Sequence, residues 1–276
     1  MNWLCGLIGE GIAKSRSPAM HEREARNLGL PLVYRLVDTD NWHSDSSGLA
    51  DILRWMERFH FNGTNVTHPY KQAVIPLLDE LSDAALAIGA VNTVVFQGGR
   101  RIGHNTDWSG YAANFRRTLP DVSLNRVGQV GAGGAAAAVA YALLSMGAAR
   151  LDIFDVASRR AADLAERLGS LFPEARVSAA SCVEDVISGA DGIVQTSPIG
   201  MDSHPGSPFS SDLLDASQWF SEVIYFPCET PLLAAARAKG CRTVSGVGMA
   251  VFQAADAFAL FTGVAPDRDR MLSEFD

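Results

Sequence analysis

Residues 126–155 read "RVGQVGAGGAAAAVAYALLSMGAARLDIFD". An apolar run leads into Gly131-Ala132-Gly133-Gly134-Ala135-Ala136, an alanine-rich stretch follows, and a second apolar run ends on Asp155. The order is strand, tight turn, helix, strand, which is a βαβ unit. Gly131 lets the chain turn sharply, Gly133 lets backbone approach a pyrophosphate, and the small residue at 136 lets helix and strand pack closely. Phosphates then sit on the helix N-terminus, where free N–H groups and the dipole favour anions. Asp155 can accept hydrogen bonds from both ribose hydroxyls of NAD and would repel the 2′-phosphate of NADP. Gly131, Ala132, Gly133, Gly134, Ala135 and Asp155 are therefore expected to line NAD, with NADP disfavoured.

The same alternation extends outward in both directions. On the C-terminal side, "ARVSAAS", "ADGIVQTSP", "WFSEVIYFP" and "RTVSG" read as strands alternating with helices such as "TPLLAAARAKG". The last long segment, "GVGMAVFQAADAFALFTG", reads as a helix with an apolar face. On the N-terminal side, "WLCGLIG" and "LVYRLVD" read as strands. Between them, Ser17 as N-cap, Pro18 at the first helical position and Gly29 past the end bracket a helix. A second helix is expected around "LADILRWMERF", and "FNGTNVTHPYKQAVIPLLDEL" reads as strand end, loop and helix. "VNTVVFQGGRRIGHNTD" reads as a hairpin turning on Gly98-Gly99. "WSGYAANFRRTLP" is a connecting helix stopped by Pro120. Two strand sets joined by one helix predict an α/β protein of two domains with mostly parallel sheets and a cleft between the domains.

The 276 residues carry 23 Lys and Arg against 31 Asp and Glu, a net charge of −8. The Arg pairs at 100–101, 116–117 and 159–160 form no basic stripe, so nucleic acid is not an expected partner. Cys5, Cys182, Cys228 and Cys241 have no metal-ligand spacing, no metal is expected, and reduced thiols in the cytoplasm are the simplest reading. No apolar run approaches the roughly 20 residues of a membrane span.

A second set of residues is polar and dispersed. "GTNVTHPYK" places Asn65, Thr67 and Lys71 together; "SRS" offers Ser15 and Ser17 at a strand-to-helix turn. "VNT" delivers Asn92, "HNTD" delivers Asp107, and the last helix offers Gln253. Asn, Thr, Ser and Gln both donate and accept, which suits a polyol. Lys and Asp can move protons or stabilise alkoxide charge.

Taken in order, "SRSPAMH", "GTNVTHPYK", "GAVNTVV", "HNTDWSGY", "GAGGAAAA", "QTSPIGM" and "GVGMAVFQAADAF" resemble the shikimate dehydrogenase family almost end to end. The resemblance implies an N-terminal αβα substrate domain over 1–107, a Rossmann-type cofactor domain over 108–245, and a helical segment over 246–276 returning to the substrate domain. It implies a Lys71–Asp107 catalytic pair, with Ser15 and Ser17 on the substrate carboxylate. Asn65, Thr67, Asn92, Asp107 and Gln253 would hold the substrate with Tyr225 beside them. Arg160, Ser197, Pro198, Val223 and Gly246 would join the glycine turn around the cofactor. The chain ends its second cofactor-domain strand with Asp155-Val156-Ala157 where NADP-using members have Asn-Arg-Thr, and so is similar to the NAD-using quinate/shikimate branch. It departs from the family pattern at His68 and at "QTSP". The implied activity is reversible NAD-linked oxidation of shikimate or quinate, in a monomer or homodimer. The alternatives are an NADP-preferring or amino-shikimate dehydrogenase, and a cofactor-binding regulator without catalysis. The intact Lys71 and Asp107 argue against the regulator.

Overall fold

Trp3–Gly9 forms β1, the apolar run that ends at the first glycine-flanked turn. It is followed by α1 (Ser17–Asn27), β2 (Leu32–Asp38), α2 (Ser47–Arg58), β3 (Gly63–Val66) and α3 (Tyr70–Ala73). Next come β4 (Glu80–Leu81), α4 (Asp83–Ile88), β5 (Thr93–Gln97) and β6 (Arg100–His104). The computed structural model describes residues 2–40 and 47–275. Two compact units emerge: residues 1–106 with 251–276, and residues 107–250.

The first unit holds a six-stranded sheet in the order β2-β1-β3-β5-β6-β4. Its β2-β1-β3 part is parallel, while β3-β5 and β5-β6 are antiparallel. The hairpin turns on Gly98 and Gly99, both with positive φ, as an Asn-Gly-like two-residue turn requires. Cys5, Leu7, Ala25, Leu32 and Tyr34 build one core layer with Phe258 and Phe261; Ile8, Leu53, Met56, Val66 and Val94 build the layer on the other face.

Three local expectations needed correction. Ser17 is the first residue of α1, not its cap; the N-cap is Arg16, without a side-chain cap bond. The helix expected after "NVTHP" stops at Ala73 and gives way to a single 3-10 turn at Ile75–Leu77. Pro76 lacks an N–H and its ring clashes with the carbonyl four residues back. The two-residue β4, parallel to β6, had no visible alternation because it is too short to show any.

The second unit opens with α5 (Asp107–Thr118), β7 (Val127–Val130), α6 (Gly134–Ser145), β8 (Arg150–Phe154) and α7 (Ser158–Leu171). It continues through β9 (Arg176–Ala179), α8 (Val183–Ile187), β10 (Gly192–Gln195), β11 (Trp219–Glu222), α9 (Pro231–Ala238) and β12 (Arg242–Val244). The sheet order β12-β11-β10-β7-β8-β9 is parallel throughout. Counted from β7, this is the doubly wound dinucleotide-binding order, whose reversal between β7 and β10 opens a crevice at the strand C-termini. The alanines of α6 are buried because α5 packs directly against that helix. Buried Asp152 ties β8 to its neighbours, accepting from Arg126 Nε (3.0 Å), Arg150 Nε (2.9 Å) and Ser178 Oγ (2.7 Å). Burial alone would raise its carboxyl, but Ser178 and the two guanidiniums outweigh that and hold it below the usual carboxylate range.

The chain closes with α10 (Gly246–Thr262) and α11 (Arg268–Ser273). The first residues of α10 belong to the second unit and its remainder to the first. Among the described residues, no helix is long and apolar enough to cross a membrane.

Candidate active site and dinucleotide turn

Within the first unit, the dispersed polar residues converge on one hydrogen-bonded network. Asn65 on β3 donates through Nδ2 to the Asn92 carbonyl (3.2 Å) and to Thr93 Oγ1 (2.9 Å). Its Oδ1 accepts from the Tyr34 hydroxyl at 2.7 Å. Asn92, just before β5, donates to Thr106 Oγ1 (3.0 Å) and to Gln253 Oε1 on α10 (3.4 Å). Its Oδ1 accepts from the Thr106 amide (2.8 Å) and from Thr93 Oγ1 (3.0 Å). At the other end, Ser15 Oγ donates to Ser17 Oγ at 3.2 Å, with the Tyr34 phenol nearby. Asn65, Asn92 and Gln253 thus share one network, with the Ser15–Ser17 pair near its Tyr34 end, although up to 161 residues separate bonded members.

Lys71 lies on α3, and its backbone carbonyl accepts from the Val91 amide (2.8 Å), next to Asn92. Asp107 is buried, follows Thr106 directly, and is the first residue of α5 and of the second unit. Thr67 is half-buried, with its amide on the Ile8 carbonyl (2.9 Å) and its methyl against Gly9. Tyr225 is exposed in the loop after β11. His68, the departure inside "NVTHP", is exposed, and its carbonyl accepts from the Glu10 amide.

In the second unit, Gly131 has φ +109°, and a Cβ there would meet Thr196 Oγ1 at 2.7 Å and the Ser197 amide at 2.9 Å. The turns after β7 and β10 therefore touch, which brings Gly131 and Ser197 together. Gly133 and Gly134 face open space. Gly133 caps α6 without any side-chain bond, and no acidic residue occupies the first turn. Uncapped amides beside open space fit a pyrophosphate. Asp155 Oδ2 accepts from the Ala132 amide (2.7 Å) and Oδ1 from the Ala157 amide (2.8 Å). Val156 and Arg160 next to it are exposed. A Cβ on Gly246 would lie 2.3 Å from the Val223 carbonyl, so these two expected residues also meet. Pro198 is exposed in the loop after β10. Gln195 of "QTSP" folds that loop on itself, donating to the carbonyls of Ser197 (3.1 Å) and Ile199 (2.9 Å).

Sequence reasoning missed Tyr34, Thr93, Thr106 and Thr196. Tyr34 carried a signal: it is the aromatic at an inward position of "LVYRLVD", and a buried phenol needs a partner. Thr196 donates to the carbonyls of Val130 and Gly131 and so braces the glycine turn.

A parallel sheet of dinucleotide-binding order in one unit and a polyol-suited polar network in the other define a dehydrogenase architecture. Residues 7–94 match the family model of the shikimate dehydrogenase substrate binding domain, and residues 246–274 that of the shikimate 5'-dehydrogenase C-terminal domain. The chain is 51% identical to a shikimate dehydrogenase (NADP(+)) of Streptomyces avermitilis, over 99% of this chain and 94% of the relative. It is 47% identical to a quinate/shikimate dehydrogenase (NAD(+)) of Corynebacterium efficiens, over 99% and 97%. Among solved structures, quinate dehydrogenase from Corynebacterium glutamicum in complex with NAD superposes with a TM-score of 0.93 at 47% identity, covering 99% of this chain and 98% of that one. The chain belongs to the shikimate dehydrogenase family.

Proposed function

We propose that this protein oxidises shikimate, quinate or both at a ring carbinol, reversibly and with NAD. The observation that carries the reading is the network joining Asn65, Asn92 and Gln253, with the Ser15–Ser17 pair near its Tyr34 end. It gathers donors and acceptors suited to a polyol acid around a segment flanked by Lys71 and Asp107. When bound, the dinucleotide supplies the hydride acceptor. The hydroxyl proton passes to the Lys71–Asp107 pair, which acts as a unit, Lys71 stabilising alkoxide charge as it develops. Ser15 and Ser17 hold the carboxylate; Thr67, Asn92 and Gln253 hold ring hydroxyls, with Tyr225 alongside. Gly131 to Ala135 would hold the cofactor's pyrophosphate, Ser197, Pro198, Val223 and Gly246 would line the rest of its site, and Asp155 and Arg160 would take the adenine ribose. Relatives of similar identity are named for NADP and for NAD, so the choice of NAD rests on Asp155 and on Val156 where NADP users carry Arg.

The test is absorbance at the reduced-nicotinamide band with shikimate or quinate, each with NAD or NADP. Turnover is expected with NAD. Silence in all four mixtures would point to an amino-substituted substrate or to a regulator. Lys71→Ala should lower turnover by about 10²–10⁴-fold while NAD binding persists; activity within about threefold of wild type would remove Lys71 from the chemistry.

A further inference from the structure

Tyr34 lies on β2, and Asn65 on β3, with β1 between them in the sheet. The phenol nevertheless reaches the Asn65 carboxamide at 2.7 Å. Tyr34 is fully buried, and burial raises its hydroxyl well above the usual phenol range, so it remains a proton donor to Asn65 at any working pH. The orientation of that carboxamide has one solution. Flipping it would set Oδ1 against the Asn92 carbonyl and Nδ2 against a hydroxyl whose proton points at it. His21 of α1 braces the ring from one side, stacked at 4.6 Å and 21°. Beyond His21 stand Phe258 and Phe261 of α10, at 6.1 and 5.9 Å. His21 is itself wholly buried, and neither ring nitrogen has a hydrogen-bond partner among the described residues. Its contribution to Tyr34 is therefore packing.

We propose that Tyr34 is a positioning residue of the substrate site: its hydroxyl fixes the Asn65 carboxamide, so substrate binding depends on it through that group. The inference rests on the reading of Asn65 as a substrate ligand. Tyr34→Phe keeps the ring and its stack on His21 but strips Asn65 Oδ1 of its donor.

The experiment is a double-mutant cycle in steady-state kinetics with shikimate and quinate: wild type, Tyr34→Phe, Asn65→Ala and the pair. Tyr34→Phe should raise KM for the acid roughly fivefold to tenfold, the size of one lost buried hydrogen bond. Turnover at saturation should stay within about threefold and KM for NAD should not move. In the Asn65→Ala background, Tyr34→Phe should change KM by less than about twofold, since the group it positions is gone. An unchanged KM in Tyr34→Phe, or additive effects in the pair, overturns the proposal and leaves Tyr34 a core residue. If Tyr34→Phe fails to fold, Thr93→Val loosens the same carboxamide from its Nδ2 side and must raise KM in its place. A wild type that turns over neither acid sinks the proposed reaction alone; the cycle is then read by calorimetric binding of the same acids, and a wild type that binds neither overturns the positioning role as well.

Discussion

Glu222→Gln should make the protein's stability less sensitive to pH between about 5 and 8. Glu222 ends β11, is 1% exposed, and accepts a hydrogen bond from Thr230 Oγ1 at 2.8 Å. Thr230 in turn caps α9 through the Leu233 amide. The second carboxyl oxygen of Glu222 has no partner among the described residues. Burial, opposed by the Thr230 bonds and aided slightly by Glu229, pushes the carboxyl from 4.5 to about 7. The folded state therefore binds more protons than the unfolded state between those two values. Stability is fully present below the unfolded value and is lost as pH rises through the folded one. Between pH 5 and 8 the linkage comes to at most about 2.5 kcal/mol. Gln matches the protonated side chain in size and still accepts from Thr230, so the variant should differ little from wild type at pH 5. At pH 8 it should gain about 2 kcal/mol relative to wild type. The assay is urea denaturation of both proteins at the two pH values, because subtracting the curves cancels every other titrating group. A difference between variant and wild type that is the same at pH 5 and pH 8 would refute the reasoning.

Gly192→Ala should destabilise the second unit by about 1–3 kcal/mol or more, because the added methyl would lie 2.0 Å from the Trp219 indole on the neighbouring strand; thermal unfolding reads it, and an unchanged Tm would show that Trp219 can move aside. Val156→Arg should shift the ratio of kcat/KM values towards NADP by about tenfold, one charge-assisted phosphate contact, at no packing cost on a side chain 95% exposed. Asp155→Asn should lower efficiency with both cofactors, since an amide N–H would then face a backbone N–H of the turn it closes; a wild type that prefers NADP would show that the ribose does not lie at Asp155.

The second unit was legible because its signals are local. Strand, glycine turn, helix and terminal acid follow one another within thirty residues, and a parallel sheet buried on both faces reads as apolar runs. The Gly98-Gly99 hairpin was legible for the same reason. The N-terminus of α1 was misassigned because a Ser-Pro pair looks like a cap and a first turn. The Ser17 oxygen instead accepts from Ser15 Oγ, and the helix N-cap falls on Arg16 without a side-chain bond. The polar network lay beyond local reading altogether. Its members come from β2, β3, the approaches to β5 and α5, and α10, and only strand order and register decide that they meet. Asp155 shows how two readings of one residue can coexist. It is a turn residue, closing the glycine loop on Ala132 and starting α7 on Ala157, yet each oxygen keeps a second lone pair for a ribose hydroxyl.

The same counting of lone pairs and protons divides the labour within the network proposed to bind substrate. Asn65 has spent both N–H groups, on the Asn92 carbonyl and Thr93 Oγ1, and retains only one acceptor site on Oδ1 beside the Tyr34 bond. A carboxylate accepts and never donates, so Asn65 has nothing to offer it; what it can take is the proton of a ring hydroxyl. Ser15 and Ser17 are different. The Ser15 proton points at Ser17 Oγ, but a hydroxyl rotor turns about its C–O bond without moving a heavy atom. Both protons can therefore swing to an arriving carboxylate while the oxygens stay in place. Tyr34, whose own proton stays on Asn65, holds that carboxamide in place through the exchange. Ser17→Ala, which removes one of those rotors and leaves Asn65 untouched, bears on carboxylate capture, and Asn65→Ala on the ring hydroxyls. A ligand series that lacks either the carboxylate or a ring hydroxyl should therefore distinguish the two variants by which compound loses the least affinity.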